Sequence, residues 1–145
     1  MDAQELDARE QIRDLVARYN ANGDSGRFAA MLELFTPDAV MHIPSGSHRG
    51  RDEIEAMFAN AAKKTGDGDG ARAAFIRHFT ATLQIDLDPA DRTRATSRCY
   101  YQVLTDRGLD HWGRYLDQYR CDDGVWRFVE RTVTLDGSVP GGWGG

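Results

Sequence analysis

The run RATSRCYYQV, residues 94–103, decides the architecture. Ala95, Ser97, Cys99, Tyr101 and Val103 share one parity, while Arg94, Arg98 and Gln102 share the other. Successive strand side chains point to opposite faces, so this alternation predicts a strand with one buried and one wet face. It lies within a β-rich run over 92–105, and similar runs cover 73–87, 111–121 and 125–136. The linkers DPADR, DRGLD and CDDGV carry the residues that tight turns favour. Long strands joined by short turns predict an antiparallel meander.

Upstream the period changes. In ELDAREQIRDLVARY (5–19), Ile12, Leu15, Val16 and Tyr19 recur at i, i+3, i+4 and i+7, the apolar stripe of a helix. Asp2 and Glu5 suit a capping box at its start, and NGDSG (22–26) ends it. A second helix is expected from about Gly26, with Ser25 as N-cap, Phe28, Met31, Leu32 and Phe35 as its stripe, and Pro37 as its stop. DAVMHIP (38–44) suggests a short strand and GSHRG (46–50) a turn. RDEIEAMFANAAKK (51–64) is a third helix that buries Ile54, Met57, Phe58 and Ala61. TGDGDGA (65–71) is expected to be a flexible acidic loop. GSVPGGWGG (137–145) is too glycine-rich for regular structure, so a domain over 1–137 and a flexible tail over 138–145 are expected.

Helices followed by a run of strands define an α+β fold. The expected form is a cone-shaped α+β barrel. A curved antiparallel sheet of about four long strands plus a short strand would wrap around three N-terminal helices. Its open mouth would form an apolar pocket for a small molecule.

Composition narrows the function. The chain has 145 residues, a formal net charge of -5 and no basic block, so the electrostatic footprint of a nucleic-acid binder is missing. No apolar run approaches a membrane span, and the acidic, polar N-terminus does not resemble a signal peptide. Cys99 and Cys121 sit in strand-like segments without CxxC spacing, which fits reduced buried thiols and a cytoplasmic location. No H-x-H or HExxH spacing marks a metal site, and no cofactor is expected.

The order IRDLVARYNANGDSGRFAAMLELFTPDAVMHI, GRDEIEAMF, IRHFT, SRCYYQVL and GRYLDQYRCDDGVWRFVERTV resembles the SnoaL-like branch of the nuclear transport factor 2 superfamily over about residues 8–136. Within it the chain looks closest to relatives of scytalone dehydratase, bile-acid 7α-dehydratase and hexachlorocyclohexane dehydrochlorinase. The resemblance implies a pair of catalytic residues at Asp24 and His78, a leaving-group arginine at Arg131, and a further polar group at Tyr19. Where scytalone dehydratase has a second histidine, this chain reads CYYQVL and offers Tyr101. The resemblance also implies self-association, as a dimer or trimer, through an outer sheet face carrying Trp112 or Trp126 beside arginines.

A carboxylate bonded to one imidazole nitrogen fixes the tautomer and stabilises the imidazolium, which suits His78 to carbon-acid chemistry. The implied activity is a cofactor-independent lyase acting on a hydrophobic cyclic or aromatic molecule, with Tyr101, Tyr19 and Arg131 as electrostatic helpers. Phe28, Leu32, Phe58, Val103 and Trp112 are candidate apolar walls. His42 and His111, at strand ends, can reach the mouth, whereas His48 lies in a turn. The same pair also suits an isomerase, a cyclase or a carbon–carbon lyase. A non-catalytic binding module, such as a dioxygenase β-subunit-like partner, is the alternative of another class. Asp24 also fits a turn residue and His78 a satisfied core histidine. Arg131 also fits a surface partner of Glu130 or Asp136, and its direction depends on whether a bulge interrupts its strand.

Overall fold

The alternation seen at 94–103 runs through the sheet. In the computed structural model, which describes residues 1–66 and 75–143, four long strands follow one another: β3 (Ile76–Leu87), β4 (Arg94–Thr105), β5 (Gly108–Asp122) and β6 (Val125–Val133). They pair antiparallel in chain order. Ala95, Ser97, Cys99, Tyr101 and Val103 are all buried, and Arg94, Arg98 and Gln102 are exposed, as their parity requires. Burial pushes the Cys99 thiol up to about 11, which leaves it a small protonated hydrophobe.

Three helices fill the concave side: α1 (Ala3–Asp24), α2 (Phe28–Leu32) and α3 (Gly50–Gly66). Helix α1 buries Ala8, Ile12, Leu15, Val16, Tyr19 and Asn20. Asp2 caps it by accepting from the Glu5 N–H at 2.9 Å, whereas Glu5 turns to Arg9 rather than back to the cap. Arg9 also donates to Ile85 O at 2.7 Å, tying the helix to β3.

Several boundaries differ from expectation. The second helix ends at Leu32, and Phe35 opens β1 (Phe35–Ile43) instead of closing a helical stripe. Strand pairing decides this: β1 runs parallel to β6, Phe128 N–H donates to Leu34 O, and the Phe35 and Phe128 rings sit 5.2 Å apart. Ser25 is the C-cap of α1, and α2 starts after Arg27 with no side-chain cap. GSHRG is largely a strand, β2 (Gly46–Arg49), paired with β1. The sheet order is therefore β2-β1-β6-β5-β4-β3, mixed rather than wholly antiparallel, and it stays open. Within the expected 65–71 loop, Thr65 and Gly66 end α3, and the rest lies outside the described residues.

The tail is more regular than its glycine content suggests. A two-residue strand, β7 (Gly137–Ser138), pairs with β5, and Val139 N–H donates to Asp110 O. Trp126 points inward and is buried, so the convex face carries Phe79, Tyr100, Trp112 and Leu116 instead. No helix among the described residues is long and apolar enough to cross a membrane.

Bulges bend the strands over the helices. Thr82 and Leu83 face one residue of β4, with Thr82 at a φ of 57°. Asp110 is the extra residue of β5, and Val129 that of β6. Gly113 marks the tightest approach to the chain leaving β6. A Cβ there would lie 1.9 Å from Thr134 O and 2.9 Å from Tyr101 Cε1, the first of which is backbone and cannot swing away. Gly113→Ala should therefore lower stability by about 3 kcal/mol, the upper end of overpacking costs, read as a lower urea midpoint at unchanged slope.

Candidate active site

Between the helices and the concave sheet lies a cavity of about 1510 Å³, open at one end. Its walls mix apolar groups, among them Phe28, Met31, Met57 and Phe58, with polar ones from both layers.

The first polar group joins helix to sheet. Asp24 is the last residue of α1, and the positive φ of 73° at Gly26 turns the chain away just beyond it. His78 stands on β3, one of the two edge strands of the sheet. An edge strand leaves half of its backbone N–H groups without a strand partner. Asp24 Oδ2 accepts the His78 N–H at 2.9 Å, and Oδ1 sits 2.6 Å from His78 Nδ1. One carboxylate thus fixes both the backbone and the ring of the same residue. A carboxylate only accepts, so Nδ1 carries the proton and the neutral ring keeps its lone pair on Nε2. Nε2 makes no hydrogen bond among the described residues. The pair is drawn largely out of water, at 20 % and 10 % side-chain exposure, and both residues line the cavity.

A second pair comes from β5. The bulge at Asp110 lets Asp110 and His111, neighbours in sequence, both turn inward. Asp110 Oδ2 lies 2.8 Å from His111 Nδ1. Burial lowers the His111 pKa below its ordinary 6.5, with Asp110 opposing and His78 adding to the effect. The folded state therefore resists protonating His111 while the unfolded chain does not. That contribution to stability is present above about pH 6.5 and is lost as pH falls below it. The melting temperature of the wild type should drop more between about pH 7 and about pH 5 than that of His111→Gln, measured by calorimetry.

The expected residues divide. Asp24, His78, Tyr19, Tyr101, Phe28 and Phe58 reach the cavity. Tyr101 does so with its hydroxyl proton already donated to Thr134 O at 2.7 Å, so it can accept but has no O–H left to give. Burial holds that phenol up at about 12. Tyr19 lies on the cavity floor, and its hydroxyl donates to Met41 Sδ at 3.9 Å, a weak acceptor.

Arg131 is not in the cavity wall. The Val129 bulge flips its parity, so it points inward as Phe128 does, fully buried. There it forms a two-pronged pair with Asp117 at 2.7 and 2.9 Å. Its guanidinium lies 4.2 Å from the Tyr19 ring centre and 3.9 Å from that of Tyr115, behind the floor those rings make. Burial opposes its charge, but Asp117 outweighs burial and leaves its pKa raised.

The remaining wall candidates lie elsewhere. Val103 is core, and Leu32 is half-buried against the core. Trp112 faces out and covers Gly137. His42 bonds Ser47 Oγ at 2.7 Å and Glu130 Oε1 at 2.6 Å, away from the cavity, while His48 lines the mouth instead. Among the polar lining residues that sequence reasoning passed over are Asp110 and Asn20, together with the exposed cations Lys63 and Arg107. Asn20 sits on the floor beside Tyr115, whose hydroxyl donates to Asn20 Oδ1 at 3.3 Å. His111 was legible by parity with Tyr115 and Tyr119. Asp110 was not, because its direction comes from the bulge. Among the described residues no three His, Cys, Asp or Glu side chains converge as metal ligands.

An open curved sheet holding helices and a cavity with buried polar pairs defines the cone-like α+β class also called cystatin-like or nuclear transport factor 2-like. The chain belongs to the SnoaL-like domain family, whose model matches residues 4–132. A cystatin-like protein of unknown function from Nostoc punctiforme superposes with a TM-score of 0.77 at 24% identity, over 91% of this chain and 93% of that one. A scytalone dehydratase-like protein from Novosphingobium aromaticivorans gives 0.76 at 20% identity, over 96% and 91%. The type 3 hexachlorocyclohexane dehydrochlorinase of Novosphingobium barchaimii gives 0.79 at 16% identity, over 97% and 94%. At these identities the likeness is one of fold. No curated protein matches the sequence significantly.

Proposed function

We propose that the protein is a lyase that needs no cofactor, removing a carbon-bound proton and a β-leaving group from a hydrophobic cyclic or aromatic molecule. The observation that carries this reading is the Asp24 carboxylate bridging the ring and backbone N–H of His78, with Nε2 unbonded in the cavity. In the step, Nε2 takes the proton as the C–H bond breaks. The electron pair becomes the new double bond and expels the leaving group with its own electrons. Asp24 stabilises the imidazolium that results. For a hydroxyl leaving group the same imidazolium returns the proton, water departs, and the base is reset; for a halide, which leaves as the anion, the imidazolium gives its proton to solvent. The reaction is redox-neutral and consumes no co-reactant.

Charge developing away from His78 needs a donor. Tyr101 has its proton engaged and Arg131 lies behind the floor. We assign the role to the Tyr19 hydroxyl, whose own acceptor, Met41 Sδ at 3.9 Å, is a weak one, ahead of the exposed cations Lys63 and Arg107 that also line the cavity. Two solved relatives of this fold, named for dehydration and dehydrochlorination, support elimination over other uses of the same base. The test is product analysis with cyclic β-hydroxyketones and β-haloketones in D₂O. Enzyme-dependent formation of the enone, with water or halide released, is expected. Deuterium exchange or rearrangement without loss of the leaving group would replace elimination by isomerisation. Absence of both across the panel would remove the lyase assignment.

A further inference from the structure

Two aspartate–histidine pairs face one cavity, and the elimination uses only the first. The imidazoles of His78 and His111 flank the Tyr101 ring, with centroid separations of 6.4 and 5.9 Å. His111 is held by Asp110 and Trp143, which are themselves joined. Asp110 Oδ2 takes its Nδ1 at 2.8 Å, Asp110 Oδ1 accepts the Trp143 N–H at 3.3 Å, and the Trp143 ring meets the imidazole edge-on at 4.8 Å. The His111 and Asp110 side chains are only 7 % and 11 % exposed.

Donor and acceptor accounting then fixes what this pair can bind. Asp110 accepts, so His111 Nδ1 donates to it, and the ring is neutral because burial disfavours its charged form. Its Nε2 is left as an acceptor, and it makes no hydrogen bond among the described residues. A carbonyl, ether or halogen has no proton to offer it; a hydroxyl does. Nε2 is not among the buried atoms without a partner and opens on the cavity. A ligand that covers it without offering a donor therefore leaves it unmatched, which is costly, and a ligand hydroxyl avoids that cost.

We propose that Asp110 and His111 form a second subsite in which His111 Nε2 accepts a hydrogen bond from a hydroxyl of the bound molecule, so that the cavity takes hydroxylated rings in preference to purely hydrocarbon or halogenated ones. This rests on the cavity being the substrate site, as proposed above, but its test does not need turnover. The probes are 2-naphthol and 2-methoxynaphthalene, titrated calorimetrically into the full chain; they differ in the one O–H donor.

The wild type should bind 2-naphthol roughly tenfold more tightly, the effect of one hydrogen bond at the upper end of its net range. His111→Phe should bind the two probes equally, and Trp112→Phe, on the outer face, should keep the preference. Ring nitrogen NMR gives a second readout in the unmutated protein, with the His111 signals assigned from His111→Gln. Nε2 should be unprotonated in the free protein and shift on adding 2-naphthol but not its methyl ether. A wild type that binds both probes equally or neither, a preference that survives in His111→Phe, or an Nε2 resonance that does not respond would each overturn the subsite. A preference without any elimination would instead overturn the lyase assignment alone, and elimination without a preference would overturn the subsite alone.

Discussion

His78→Ala lowers turnover of an accepted β-substituted ketone by about 10²–10⁴-fold, the range one positioned base contributes. The fold should survive, because Asp24 keeps the backbone N–H of residue 78 as its partner when the ring is gone. Circular dichroism and the melting temperature should therefore stay close to wild type while turnover collapses. Added imidazole, small enough for a cavity of about 1510 Å³, should restore part of the rate. Rescue separates a missing base from a disturbed fold, since a packing defect is not repaired by a free base. Asp24→Asn should also lose turnover, because the amide offers one acceptor where the carboxylate meets two N–H groups, and it no longer stabilises the charge of the ring. Full activity in His78→Ala would remove the base assignment altogether.

Asp117→Asn lowers stability by about 3–5 kcal/mol, the cost of leaving a buried cation without its counter-charge. Arg131 and Asp117 are both fully buried, and among the described residues the Tyr19, Tyr115 and Phe128 rings that lie against the guanidinium carry no charge to replace the carboxylate. Arg131 Nη1 already lacks a hydrogen bond, so there is no slack in its solvation. Removing both charges together, as Asp117→Leu with Arg131→Met, should recover most of the loss, because a well-packed apolar pair replaces a buried ion pair at little cost. Denaturant unfolding of the single and double variants checks this, and a single-variant loss under about 1 kcal/mol would contradict it. The double variant also tests placement. If Arg131 served the leaving group directly, elimination would be lost with it; from behind the Tyr19 and Tyr115 rings, elimination should persist.

The family resemblance carried in the sequence paired Asp24 with His78 across 54 residues, and the structure brings them into hydrogen-bond contact. Neither residue announces the pairing locally. Asp24 stands in a turn-like NGDSG, and His78 in a strand, so only an edge strand lying beside the end of α1 makes them partners. Arg131 shows the opposite case. Its place in the sequence suggested a leaving-group role, yet a single extra residue, Val129, turned it into the core to meet Asp117.

By itself the sequence determined the periods. The two-residue alternation of 94–103 and the helical stripe of Ile12, Leu15, Val16 and Tyr19 each specify which side chains leave water, because burial of one face is a local geometric consequence of strand or helix. Tertiary structure alone decided where those periods slip and end. Phe35 became strand because β6 was there to pair with it, and Asp110 and Val129 were displaced as bulges by partners far along the chain. Pairing energy comes from the neighbouring strand and not from the residue itself. The direction of a side chain beside a bulge, and so the membership of the cavity, is settled only when the sheet assembles.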